Sequence, residues 1–321
     1  MRSSSAIESR RPGVLAVHSV DRFVYSVPDL SVALKFYTAF GLDVRQVDNR
    51  LDLYTFGHDH CWASVFEAGE RKLLQYVRFG IFADDMAAFE QRVKDLGIGC
   101  APHPMGSQDG IWMRNPDGTL VQLVVAAKVS PSVKSPPTPK TAVPAGRGAA
   151  PSRSQVASVK PRHLSHVLFF TPDVLRMTTF AQTVLGLRLS DHSGDIIAFI
   201  HTPHGSDHHL IALAKSHAPG LHHSSWEVGS IDEVGIGSEQ MRIAGWDHGW
   251  GFGRHVLGSN YFYYVRDPWG SFCEYSHDID FVPADLDWPA SDHAPEDSLY
   301  VWGPAVPEGF ITNQEQDLPS L

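Results

Sequence analysis

Three side chains in the second half of the sequence are of the types that can share one metal ion: His166 in HLSHVLFF, His223 in LHHSSWEV and Glu274 in SFCEYS. Each lies in a stretch that reads as a strand. Two neutral imidazoles and one carboxylate form a facial triad, which leaves about three positions of an octahedral Fe(II) or Mn(II) open to substrates. A single strand histidine is more often structural than a ligand, so the argument rests on the joint occurrence of three donors on three strands. Histidine is also abundant. The chain has 18, concentrated in the C-terminal half, and that excess raises the expectation of a metal site.

Such donors must be aimed by a scaffold, and the sequence repeats itself in a way that suggests one. RFVYSVPDLSVALKFYTAFGLDV, from Arg22, and HVLFFTPDVLRMTTFAQTVLGLRL, from His166, each read as a strand, a Pro-Asp turn that can cap a helix, an amphipathic helix and a Gly-Leu exit into another strand. The halves also end alike, in RNPDGTLVQLV and RDPWGSFCEYS, and each has a strand, an acidic turn and a helix in between. This order predicts an α+β fold of paired βαβββ modules, two per domain. Residues 18–128 form the first domain and residues 161–285 the second. Residues 1–17 are an N-terminal tail. Residues 129–160, rich in Pro, Ser and Ala with few large apolar side chains, read as an extended or disordered linker. Residues 286–321 form an aromatic, Pro-rich C-terminal extension laid over the second domain.

Over about residues 18–285 this arrangement resembles the vicinal oxygen chelate superfamily, and within it the type I extradiol ring-cleavage dioxygenases. The resemblance implies two domains of that superfamily and a 2-His-1-carboxylate centre binding Fe(II), with Mn(II) as the alternative. It also implies extradiol (meta) cleavage of a catechol-type ring by dioxygen. The open positions would take two catechol oxygens and dioxygen. The family pattern further points to His209 in DHHLIALA, and to His255 and Tyr264 in GFGRHVLGSNYFYYVRDP. Tyr264 and His255 would hydrogen-bond the substrate oxygens and fix their ionisation. His209 would stabilise bound dioxygen and donate a proton as the O–O bond breaks. Spacing favours His209 over its neighbour His208. A hairpin at RDPWG would bring Tyr264 and Glu274 together.

The duplication supplies an internal control. Aligning the two Pro-Asp turns places Arg22 opposite His166, aligning Phe82 with Val228 places Val77 opposite His223, and aligning the Asn/Asp-Pro turns places Gln122 opposite Glu274. The first domain is therefore expected to be metal-free, with a structural or oligomeric role. His222 is expected to point to the sheet face opposite His223. His201, His204 and His217 are expected at the surface or pocket rim, and His248 and Trp250 on a Gly-rich loop at the entrance.

Bulk properties set the limits. A formal charge of −10 gives no attraction for nucleic acid or an anionic membrane surface. No apolar run of about 20 residues is present. Three cysteines without a C-x-x-C pair, and no secretory h-region, suggest a reducing, cytoplasmic setting. The expected partners are dioxygen, a catechol-type small molecule and further copies of the chain. The competing functions are a glyoxalase-like or oxo-acid dioxygenase enzyme of the same superfamily, and a non-catalytic small-molecule binding protein.

Overall fold

The computed structural model describes residues 8–140 and 142–315. The first seven residues of the N-terminal tail and the last six of the C-terminal extension lie outside them. In the first half β1 (Ser19–Val27), α1 (Leu30–Phe40), β2 (Asp43–Val47), β3 (Arg50–Tyr54) and β4 (Ala63–Glu67) make one βαβββ module. Then follow β5 (Leu73–Ile81), α2 (Met86–Leu96), β6 (Ile111–Arg114) and β7 (Leu120–Val125). This module is one strand short of the expected pattern among the described residues. The second half holds two full modules. The first is β8 (His163–Thr171), α3 (Val174–Thr183), β9 (Arg188–Ser193), β10 (Ile197–His201) and, after the two-residue β11 (Ser206–Asp207), β12 (Ile211–Lys215). The second is β13 (Gly220–Glu227), α4 (Ile231–Ile243), β14 (Gly249–His255), β15 (Tyr261–Arg266) and β16 (Phe272–His277).

The turns work as their residue types require. Asp29 accepts from the backbone N–H groups of Ser31 and Val32 and caps α1, and Asp173 caps α3 through Arg176. Helix α1 ends at Gly41 with φ 97°, where a Cβ would also lie 2.1 Å from the Val159 carbonyl oxygen. The strand orders β2-β3-β4-β1-β5-β7-β6 and β9-β10-β12-β8-β13-β16-β15-β14 match, so the two sheets are versions of one plan.

The halves share one apolar core. Phe40 stacks on Tyr275 with ring centroids 4.0 Å apart, and Phe36 meets Trp246 edge-on at 5.3 Å. A buried ion pair joins Lys72 to Asp267 across the same boundary. The segment 129–160 crosses it as well, fastened at both ends. The Val129 and Ser130 N–H groups donate to Ser19 Oγ, Thr138 N–H donates to the Gly229 carbonyl, and Val159 is buried. Between these anchors the described residues 139–140 and 142–158 are exposed, and Arg153 pairs with Glu239.

After β17 (Phe281–Val282), the C-terminal extension runs from one edge of the large sheet to the other. Its β18 (Ser291–Asp292) pairs with β9, the short α5 (Pro295–Ser298) follows, and β19 (Tyr300–Trp302) pairs with β14. No helix of the described residues is long and apolar enough to cross a membrane.

Candidate metal centre

Strands β8, β13 and β16 are neighbours at the centre of the large sheet, and each contributes one donor to the same cluster. His166 Nε2 lies 3.3 Å from His223 Nε2, and Glu274 Oε2 lies 3.4 Å and 3.5 Å from these two nitrogens. The near-equilateral triangle is close to the edge of about 3 Å expected when three ligands about 2.1 Å from one ion share a face of its shell. All three side chains are buried. Glu274 Oε2 has no hydrogen-bond partner, which is costly for a buried carboxylate oxygen unless a cation meets it. Its other oxygen accepts from Asn260 Nδ2 at 3.0 Å, which fixes the carboxylate plane. Burial pushes His223 well below its usual 6.5, so it is neutral as a ligand must be. The donors fit a divalent metal.

The neighbours of the triangle also select the lone pairs that face it. The Phe310 carbonyl can only accept, so His222 Nε2, 2.8 Å away, carries the proton. Its Nδ1 is then the acceptor for His223 Nδ1–H at 2.6 Å, and His223 Nε2 is left bare toward the triangle. Ser165 Oγ, itself donating to Asp207, stands 3.3 Å from His166 Nδ1.

The side chains expected near the donors lie in the same cavity, of about 710 Å³ counted with its mouth. Tyr264 is the direct cross-strand partner of Glu274. Its hydroxyl lies 2.9 Å from His255 Nε2, and His255 Nδ1–H donates to the Leu299 carbonyl at 2.7 Å. Burial, with the Glu274 carboxylate beside it, raises the Tyr264 phenol well above its usual 10 and keeps it a donor. His209 packs against His166 with ring centroids 4.0 Å apart. Burial, then the His166 ring, pushes His209 well below 6.5. Most of the remaining lining is apolar, among it Leu168, Ile197, Phe199, Leu257, Leu299 and Phe310.

Several expectations need correction. His222 does not face away from His223. A bulge between Leu221 and His223 breaks the alternation, and His222 lines the cavity as well. The counterpart of His223 in the first half is Tyr76, not Val77. His223 pairs with Leu168 on β8 as Tyr76 pairs with Val24 on β1, whereas Val77 belongs to the core face. Arg22 and Gln122 keep their assigned places opposite His166 and Glu274, since Arg22–Arg78–Gln122 repeats the register His166–Ser225–Glu274. The first domain thus offers Arg22, Tyr76 and Gln122, and no donor triangle. His201 and His204 are buried, not at the rim, and only His217 is exposed. His248 is exposed, but Trp250 lies on strand β14, stacked on Tyr264 at 5.6 Å. The glycines that suggested a loop there allow close strand pairing: a Cβ on Gly249 would sit 1.9 Å from the Tyr264 carbonyl oxygen.

Residues 163–275 match the Glyoxalase/Bleomycin resistance protein/Dioxygenase superfamily. Metapyrocatechase 2 of Cupriavidus necator is 54% identical over 301 residues, 94% of this chain and 93% of that one. Two solved structures share the fold. The Mn(II)-bound glyoxalase from Novosphingobium aromaticivorans is 24% identical, with TM-score 0.74 over 95% of this chain and 97% of that one. A variant of homoprotocatechuate 2,3-dioxygenase from Brevibacterium fuscum is 19% identical, with TM-score 0.74 over 97% and 84%. With that extent of identity to a metapyrocatechase on the shared two-domain scaffold, the chain belongs to the extradiol ring-cleavage dioxygenases of this superfamily.

Proposed function

We propose that the chain opens the ring of a catechol-type aromatic beside its diol, with dioxygen as co-substrate, at an Fe(II) ion held by His166, His223 and Glu274. Mn(II) is the alternative metal for the same donors. The observation that carries the proposal is the unpartnered, buried Glu274 Oε2 facing two imidazole nitrogens in a cavity that also holds His209, His255 and Tyr264. A bound metal would chelate the diol and bring it together with dioxygen.

The protein's own side chains would do the rest. The apolar walls take the ring and exclude water. The Tyr264 hydroxyl and His255 hold the diol oxygens and fix which proton stays. His209, across the cavity and neutral by burial, holds and returns a proton on the dioxygen side. A glyoxalase shares this fold but does not consume dioxygen, so fold likeness alone does not separate the two. Anaerobic loading with Fe(II), followed by oxygen-electrode measurements over catechol, alkyl-, chloro- and aryl-catechols, does. Stoichiometric oxygen uptake with ring opening is expected. A loaded protein that isomerises a thiohemiacetal and takes up no oxygen would overturn the proposal.

A further inference from the structure

His209 is held from behind by two buried residues that the proposed chemistry does not use. Its Nδ1 lies 3.1 Å from Nδ1 of His208, and His208 Nε2 lies 2.8 Å from Asp191 Oδ2. His208 is 1% exposed and the Asp191 side chain 8%. Asp191 is itself fixed by the C-terminal extension. Its Oδ1 accepts from the Ser291 N–H and from His293 Nε2, both at 3.0 Å, and Trp288 Nε1 reaches Oδ2 at 3.2 Å. The Trp288 ring also meets His208 edge-on at 5.1 Å.

We infer that Asp191 and His208 are positioning residues for His209, holding its Nδ1 proton toward His208 and leaving its Nε2 lone pair facing the cavity. The directions follow from what each atom can do. A carboxylate only accepts, so the His208 proton sits on Nε2, where Asp191 takes it. The other nitrogen of that ring then offers a lone pair. Two nitrogens 3.1 Å apart share one proton, which comes from His209. The remaining His209 nitrogen is bare, beside His166 and open to substrate. This is the carboxylate–histidine logic by which buried acids orient catalytic imidazoles, extended by one ring. The inference rests on the ring-cleavage proposal for what the lone pair does, but not for its existence.

Two readouts separate these. In the full-length chain loaded with diamagnetic Zn(II), ¹⁵N chemical shifts of the histidine rings report which nitrogen of His209 carries the proton. The expected form is Nδ1–H, lost in His208→Leu and kept in His208→Asn, whose amide oxygen takes the place of the His208 Nδ1. In the Fe(II) enzyme, His208→Leu is expected to lose about 10–100-fold in kcat with KM and metal content unchanged, and His208→Asn to recover most of that loss. His209 found as Nε2–H in the unsubstituted chain, or His208→Asn no better than His208→Leu, would overturn the inference. An Nδ1–H signal in a protein that takes up no oxygen with catechols would leave the inference standing and sink the ring-cleavage proposal instead.

Discussion

Tyr264 stands directly across the β15–β16 hairpin from Glu274, and its hydroxyl is 2.9 Å from His255 Nε2. One cross-strand register thus sets a carboxylate donor beside a phenol, and the phenol beside an imidazole. Because side chains alternate along a strand, a slip of one residue in this hairpin would turn Tyr264 out of the cavity. The Asp267 carboxylate pins the turn by accepting from the N–H groups of Trp269 and Ser271.

Removing the phenol without disturbing the register isolates its role. Tyr264→Phe should keep the metal and the fold but lower kcat by about 10–100-fold, since a positioned hydrogen-bond donor is lost. Metal analysis with steady-state oxygen uptake checks this. Unchanged kcat would remove Tyr264 from the chemistry.

His209→Phe should behave differently from loss of a ligand. The ring still fills the space against His166, so the metal stays, while turnover falls by about 100-fold or more for want of a proton carrier. Loss of metal in this variant would make His209 part of the metal's support instead.

Acid should destabilise the fold through buried histidines remote from the donor triangle. Burial holds His18, His201 and His204 at about 4, against an ordinary value of 6.5. Folded, they are neutral; unfolded, they bind protons as pH falls below 6.5. Stability is therefore fully present above that value and lost as pH drops toward 4, by on the order of 1–2 kcal/mol per histidine at pH 5. The denaturant midpoint at pH 5 should lie well below that at pH 7. Equal midpoints would contradict the neutral, buried state.

Lys72 links the first domain to the turn of the β15–β16 hairpin. Its ammonium and Asp267 form an ion pair whose side chains are 3% and 0% exposed. Lys72→Met should cost about 3–5 kcal/mol by stranding the Asp267 charge. Adding Asp267→Asn should restore part of it. Urea unfolding of both variants tests the coupling, and a neutral effect of Lys72→Met would show that water reaches Asp267.

Much of the site was legible because strand alternation and turn chemistry are local. The Pro-Asp caps, the Asp-Pro hairpin and the three donors all follow from short stretches, and the duplicated pattern tied them together. The misplaced residues have non-local causes. His222 turns into the cavity through a bulge that only the partner strand reveals. Since the first half carries the same bulge between Leu74 and Tyr76, the two strands run in step with Ile81, not Phe82, opposite Val228, which puts Tyr76 and not Val77 opposite His223. His201 and His204 look like surface residues until their neighbours are known: Ser190 packs on His201, and the N-terminal segment reaches His204 through Ser9 and Arg11. The largest gap was the C-terminal extension. Its composition announced burial, but not that the Leu299 and Phe310 carbonyls would orient His255 and His222, or that Ser291 and His293 would hold Asp191.

The central claim is one metal site, in the second domain. Metal content and oxygen uptake after Fe(II) loading of Glu274→Ala and Gln122→Ala test it most directly. The account predicts about one metal ion per chain and near-normal uptake for Gln122→Ala, and neither for Glu274→Ala. Metal retained in Glu274→Ala, or lost equally from both variants, would contradict it.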